Sequence, residues 1–304
     1  MNVLVTAIGS MSASCVIENL HNISQVKVIG TDIYPVEWQV NLEYLDKFYQ
    51  VPKYYEKDYI ETIFKICLKE GIGFIMPLTD VEIDVLNQSR ALFETENIII
   101  CISDFDTILQ CRDKSKTGSN IPHYTNLELN NAEIYPIIAK PKMGRSSEGR
   151  FKLENPNQLS IINDLDAYIF QPFIDGKIIT VDVIRDKYEN IISVSRKEHI
   201  RTINGAGIVV EIFKDKLLDD IVTQIANRLN IIGCVNFEFI YTDKEYYLMD
   251  VNPRFSAGVG FSCIAGYNYI VEHLKVFQDF CITEINNIKT GIYLKKTYIE
   301  KMGV

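Results

Sequence analysis

Several chemistries drop out of this 304-residue sequence for want of the residues they need. The seven cysteines (Cys15, Cys67, Cys101, Cys111, Cys234, Cys263 and Cys281) are scattered singly, with no C-x-x-C pair. There are only four histidines, far apart, and no H-E-x-x-H. Zinc and a disulfide scaffold are therefore excluded, and free thiols in a reducing compartment are expected. No apolar run is long enough to cross a bilayer, so no membrane partner is expected. Met1 leads straight into a short strand without a basic-then-apolar leader, which makes the cytoplasm the expected location. The net charge of −9 argues against a nucleic-acid partner, which wants a basic face. No G-x-x-x-x-G-K-[ST] loop occurs anywhere. The first loop, T-A-I-G-S-M-S-A (6–13), has one glycine where a dinucleotide fingerprint needs three. Asp32, at the end of the second strand, matches the ribose-binding acid of such folds only loosely. An NAD-dependent dehydrogenase is thus a weak rival.

What is present describes an ordinary globular chain, 47% apolar and 23% charged, long enough for two or three subdomains. Residues 1–104 alternate strand and helix: Val3–Ala7, a helix through Leu20 capped by Ser10 or Ser12, then Val26–Asp32. A helical stripe of Tyr59, Ile60, Ile63, Phe64, Cys67 and Leu68 stops at Gly71. Gly73–Leu78, a helix over 81–93 and Ile98–Ile102 follow. This rhythm predicts a parallel, Rossmann-like sheet. Thr31-Asp32 and Thr79-Asp80, with Glu82, stand at strand ends, where they face a second substrate or cap the following helices.

Downstream, Tyr135–Lys140 is an apolar strand ending in a lysine, which calls for an anionic partner if buried. The following loop carries Gly144, Arg145, Ser146, Ser147 and Gly149, small enough for backbone N–H groups to approach phosphate oxygens. Residues 167–171 form a strand, and 180–184 with 191–196 an antiparallel pair. In the polar segment from Arg196 on, Arg196, His199 and Arg201 either recognise an acidic substrate or the transferred phosphoryl group, or belong to a solvated loop, which is the preferred reading. A helix over 216–230 turns Leu217, Leu218, Ile221, Val222, Ile225 and Leu229 inward. A helix over 267–280 precedes a basic, strand-like tail, whose Lys295 and Lys296 are assigned no role.

The most informative stretch is 234–260. Val235, Phe237 and Phe239 alternate with Asn236, Glu238 and Ile240, and a turn at Thr242-Asp243-Lys244 leads into a second strand. That hairpin brings Glu238 beside Asp250 and Asn252. Carboxylate and amide oxygens suit Mg²⁺ bridging to substrate phosphates. Arg254 adds a permanent cation able to grip a phosphoryl oxygen.

The full pattern, N-x-E followed by D-x-N-P-R-F-S-x-G, resembles the metal-binding end of the ATP-grasp superfamily, in the branch of carbamoyl-phosphate synthetase large chains and biotin carboxylases. Asp250 stands where that family usually has Glu. K-P-K-M-G-R-S-S resembles its strand lysine and glycine-rich flap, and Q-P-F-I-D-G its hinge. G-T-D, Y-Q-V-P and M-P-L-T-D-V-E resemble the domain that precedes the nucleotide fold. The resemblance implies an α/β fold, α+β in its C-terminal part: a Rossmann-like domain over 1–104, then a two-lobed nucleotide fold over 105–304, with lobes 105–174 and 175–304. It further implies ATP phosphates on Lys114, Lys140 and the 143–149 flap, and adenine at Gln171, Phe173 and Ile174. Mg²⁺, or Mn²⁺ in its place, would sit on Glu238, Asp250 and Asn252. The glutamate that usually follows the hinge glycine is absent from Gly176-Lys177-Ile178.

The implied activity is an ATP-dependent carboxylate–amine ligase working through an acyl phosphate. Lys140 and Arg254 are its catalytic cations, and the partners are a small carboxylate, a small amine and, as an open state, a second copy in a homodimer. The alternative is a catalytically silent ATP-binding module serving as a sensor or complex subunit.

Overall fold

The computed structural model describes residues 1–144, 148–203, 205–243, 245–285 and 287–300. The first sheet holds β1 (Asn2–Val5), β2 (Lys27–Asp32), β3 (Lys47–Gln50), β4 (Phe74–Met76) and β5 (Ile99–Ile100), with α1 (Ala13–His21) between β1 and β2. All its pairings are parallel, in the order β3-β2-β1-β4-β5. The chain winds outward from β1 to β3 and returns to lay β4 beside β1. The loops after β1 and β4 therefore diverge at the carboxyl edge and open a crevice there.

The expected helices form, with shifted ends. α2 (Tyr59–Glu70) buries Tyr59, Ile63, Ile66 and Cys67, leaves Leu68 half exposed, and stops at Gly71 with φ 59°. The span 81–93 is two helices, α3 (Asp80–Gln88) and α4 (Arg90–Glu94), broken at Ser89. Strands 73–78 and 98–102 shorten to β4 and β5. Ser12 is the N-cap of α1 but makes no capping hydrogen bond; its hydroxyl meets that of Ser10 at 3.5 Å instead.

α5 (Phe105–Arg112) leads to the second sheet, β6 (Ile137–Pro141), β7 (Phe151–Leu153) and β8 (Tyr168–Pro172), antiparallel in the order β7-β6-β8. The third sheet is larger: β9 (Lys177–Arg185), β10 (Ile191–Arg201), β11 (Gly207–Phe213), β12 (Gly233–Tyr241), β13 (Tyr246–Asn252) and β14 (Ile292–Lys295). Its order is β13-β12-β9-β10-β11-β14, antiparallel throughout. The polar segment 197–201 is strand, not solvated loop. Cross-strand pairing with β11 satisfies its backbone, a non-local gain that local polarity does not reveal.

α6 (Lys216–Arg228) packs on this sheet through Leu218, Val222 and Ile225, while Leu217 points to solvent. α7 (Val259–Ile264), which the sequence pattern does not announce, and α8 (Tyr269–Phe277) close the other face. One hydrophobic core runs from Val3, Val16 and Leu20 of the first sheet layer to Phe255, Val259, Ile270 and Leu274. The N-terminal sheet and the third sheet are thereby packed together through α1 and α8, and the crevice between them gains a second wall.

Candidate functional site

The site is built on the β12–β13 hairpin. Val235, Phe237 and Phe239 are fully buried under α6, so the pleat forces Asn236 and Glu238 to the opposite face. Register then places Glu238 directly across from Asp250 and Asn236 across from Asn252. The ladder skips Met249, since Glu238 faces Asp250 while Phe239 faces Leu248. Such a bulge frees a carbonyl from the sheet. The Met249 carbonyl accepts from Lys140 Nζ at 3.4 Å, which ties the second sheet to the third.

Two cations converge on the two carboxylates. Lys114, just past α5, donates to Asp250 Oδ1 at 3.0 Å and to the Gly144 carbonyl at 3.2 Å. Lys140 is buried and carries no ion pair among the described residues. Burial pushes its ammonium down to about 8, with Asp250 opposing and Lys114 and Arg150 adding to the shift. Burial also pushes the Glu238 carboxyl up; Asp250 and Glu198 add to this, and Arg201 offsets it only in part. A small cavity of about 60 Å³ is enclosed by these groups and by Pro141, Gly144, Glu148 and Arg150.

That cavity adjoins a larger one of about 680 Å³, sharing Arg150, Glu238, Met249 and Asp250 with it. Its other walls are the loops after β1, β2 and β4 together with Arg196, Arg201, Asn252 and Arg254. Arg254 is oriented by Asp80 of the N-terminal sheet at 3.0 Å and by Asn252 Oδ1 at 3.3 Å. Arg196, fully buried, joins Asp182 at 2.6 Å and Ser256 at 3.0 Å. Arg201 meets Glu198 at 2.6 Å and Glu238 at 3.5 Å. Asp80, read from sequence as facing a second substrate or capping a helix, opens its helix and also lines the large cavity. Asp182 and Glu198, which brace Arg196 and Arg201, are residues the sequence pattern does not mark, because they lie inside strands.

Of the residues singled out from sequence, Lys114, Lys140, Gly144, Glu238 and Asp250 meet at the small cavity, and Asn252 and Arg254 at the large one. Gln171, Phe173 and Ile174 line neither. Gln171 is buried with its Oε1 unpaired among the described residues, and the Phe173 ring lies under Lys152 Nζ at 4.2 Å. Arg145, Ser146 and Ser147 lie outside the described residues.

The donor set suits magnesium. Among the described residues no group of three or more His, Cys, Asp or Glu gathers to cage a metal. Mg²⁺ needs no such cage, since it takes one or two carboxylates and fills its octahedron with water and phosphate oxygens. Two facing carboxylates, one of them strained by its like-charged neighbour, are the oxygen donors such an ion requires.

Comparisons with known proteins agree with this architecture. Residues 164–299 match the family model described as ATP-grasp in the biosynthetic pathway with Ter operon. Residues 3–101 match the model of the PylC-like N-terminal domain. A biotin carboxylase–βγ-ATP complex from Campylobacter jejuni superposes with a TM-score of 0.78 at 17% identity, over 96% of this chain and 74% of that one. N5-carboxyaminoimidazole synthetase from Staphylococcus aureus, complexed with ADP, gives 0.74 at 15% over 96% and 80%. An L-amino acid ligase from Bacillus licheniformis gives 0.71 at 15% over 91% and 74%. The fold is that of the ATP-grasp enzymes. Residues 164–299 are thus ATP-grasp by their family model, and residues 3–101 ahead of them are PylC-like.

Proposed function

We propose that the protein is an ATP-dependent ligase that joins a carboxylate to an amine through an acyl phosphate, releasing ADP and phosphate. The observation that carries this reading is the convergence at one small cavity of Lys114, Lys140, Glu238 and Asp250, opening directly into a substrate-sized cavity beside Arg254. The proposed division is a Rossmann-like domain over 1–104 and the nucleotide fold over 105–304, hinged after residue 174.

In this reading Lys114 and Lys140 would hold the nucleotide phosphates, and the hinge at Gln171, Phe173 and Ile174 would receive the adenine. Glu238, Asp250 and Asn252 would hold Mg²⁺, which supplies charge neutralisation at the transferring phosphoryl group. Arg254 orients the phosphoryl oxygens and then the oxygens of the tetrahedral species as the amine displaces phosphate. No side chain acts as nucleophile; positioning and electrostatics supply the rate.

The test is ADP release with paired pools of carboxylates and amines. Turnover that requires both partners, and that Arg254→Ala removes while nucleotide affinity persists, is the expected outcome. Tight MgATP binding without turnover across the pools would favour the silent module instead.

A further inference from the structure

Apart from Asp80, the N-terminal end of the large cavity carries groups that the proposed phosphoryl chemistry does not use. Asp32, at the carboxyl end of β2, is 94% buried by its 6% exposure and lines the cavity. Its Oδ2 accepts from Gly9 N at 2.8 Å and its Oδ1 from Tyr34 N at 3.0 Å, so the carboxylate is aimed by main chain. Those amides leave it without a countercharge: no Lys, Arg or His among the described residues pairs with it. Of the cavity's basic groups, Arg254 pairs with Asp80, Arg196 with Asp182 and Arg201 with Glu198, while Lys53 lies over the Tyr55 ring at 5.8 Å and, among the described residues, neither it nor Arg150 pairs with Asp32. Glu82, the neighbouring acid, is consumed by Thr6, Tyr59 and Thr79. A buried carboxylate that lines an open cavity without a paired cation is an acceptor for a ligand's N–H groups.

Around Asp32 stands an aromatic rim. Tyr34, Tyr54 and Tyr55 line the cavity, with Met11 and Ile33 between them. Tyr34 is half exposed and sits against Trp38, ring centroids 5.5 Å apart; Tyr55 and Trp38 are 65% and 71% exposed. The main chain beneath Tyr34 is held from two sides: Gln39 donates to the Tyr34 carbonyl at 3.1 Å and Gln50 to the Ile33 carbonyl at 3.1 Å. Exposed aromatic surface at a cavity mouth is a pattern of recognition.

We propose that this end of the cavity is a subsite for a small aromatic ammonium compound, with Asp32 taking the ammonium and Tyr34 and Tyr55 holding the ring. Calling that compound one of the two ligated substrates rests on the ligase reading; the subsite itself does not. Trp38 is the only tryptophan in the chain and touches Tyr34, so it reports on occupancy.

Three probes separate the contributions: phenethylamine carries ring and charge, 2-phenylethanol the ring alone, and ethylamine the charge alone. Phenethylamine is expected to change Trp38 fluorescence saturably, binding about tenfold or more tighter than either control, the size of a charge-assisted hydrogen bond. Asp32→Asn should erase the preference for phenethylamine over 2-phenylethanol while MgADP affinity, measured by calorimetry, stays unchanged. Because Asp32 also braces two amides, Tyr55→Ser provides a second arm on the exposed rim: it should weaken phenethylamine and spare ethylamine. Equal binding of phenethylamine and 2-phenylethanol, an unaltered preference in Asp32→Asn, or no saturable response to phenethylamine would each overturn the assignment. Loss of MgADP binding in the unmodified protein would instead refute the ligase reading and leave the subsite result standing.

Discussion

The carboxylate of Asp80 lies 3.0 Å from the guanidinium of Arg254, so the arginine beside the proposed phosphoryl site is held by the N-terminal sheet. Asp80 opens α3 at the crevice edge, and Arg112 approaches its other oxygen at 3.6 Å while gripping Asp84. Burial by itself would raise the Asp80 carboxyl. Arg254 and Arg112 outweigh that and hold it below the ordinary range. The two halves of the chain thus meet at a charge, and each fixes a group the other needs.

Asp80→Asn should leave Arg254 without its ion pair, while Arg112 keeps Asp84, and cost about 3 kcal/mol in urea denaturation. ADP release should fall by roughly tenfold or more as Arg254 loses its orientation, with MgADP affinity near that of the unmodified protein. The sign for pH follows from the lowered pKa. The stability from Asp80 is present above its ordinary carboxyl range and is lost as pH falls through the depressed value. An acid-unfolding curve steeper in the unmodified protein than in the variant would bear this out.

With Lys140 pushed down to about 8, the proposed contact of Lys140 with the nucleotide phosphates predicts proton-linked binding. An unfolded lysine titrates higher, so the unfolded chain binds more protons above about 8 and the burden of this buried charge is relieved as pH rises. Phosphate oxygens brought beside Lys140 restore its proton. Calorimetry of MgADP near that pH, in buffers of different ionisation enthalpy, should show uptake of roughly half a proton. Lys140→Arg should bind without that uptake; equal uptake in the variant would place the linkage elsewhere.

Asp182 and Arg196 form a fully buried ion pair at 2.6 Å, with Ser262 donating to the same Asp182 oxygen at 2.6 Å. Asp182→Ala leaves Arg196 in the core with only the longer Glu198 pairing at 3.4 Å, and a loss of about 3–5 kcal/mol is expected from chemical denaturation. A loss under about 1 kcal/mol would mean that Glu198 and Ser256 suffice to hold the guanidinium.

Gly176, at the junction of the second and third sheets, admits no side chain without movement. A Cβ there would stand 2.6 Å from the Tyr241 carbonyl oxygen and 2.7 Å from Ile240. Gly176→Ala should therefore destabilise by about 1–3 kcal/mol. Nucleotide affinity should weaken along with it if the junction acts as the hinge, and calorimetry with MgADP reads that directly.

Much of the fold is legible in the chain because its signals are local. The βα rhythm of residues 1–104 and the alternation of 234–240 are set by which side chains must leave water, and that pattern survives any tertiary detail. The same alternation put Glu238 on the site face of the hairpin, but a regular register would set Met249 across from it, and the bulge that skips Met249 is what brings Asp250 there. The strand over 197–201 was hidden because its partner, β11, lies beyond a glycine-containing turn, and polar residues reveal nothing of a cross-strand ladder. α7 was hidden because six residues carry too short a period to read. The pairing of Lys114 with Asp250, of Arg254 with Asp80 and of Arg196 with Asp182 joins residues far apart in sequence. Only the packing of α1 and α8 between two sheets brings such charges within reach and makes their burial affordable. The hairpin that carries the carboxylates is therefore a property of the sequence. The crevice that gives those carboxylates a lysine, an oriented arginine and an aromatic-rimmed cavity is a property of the tertiary structure, because charge pairing and water exclusion depend on distance in space and not along the chain.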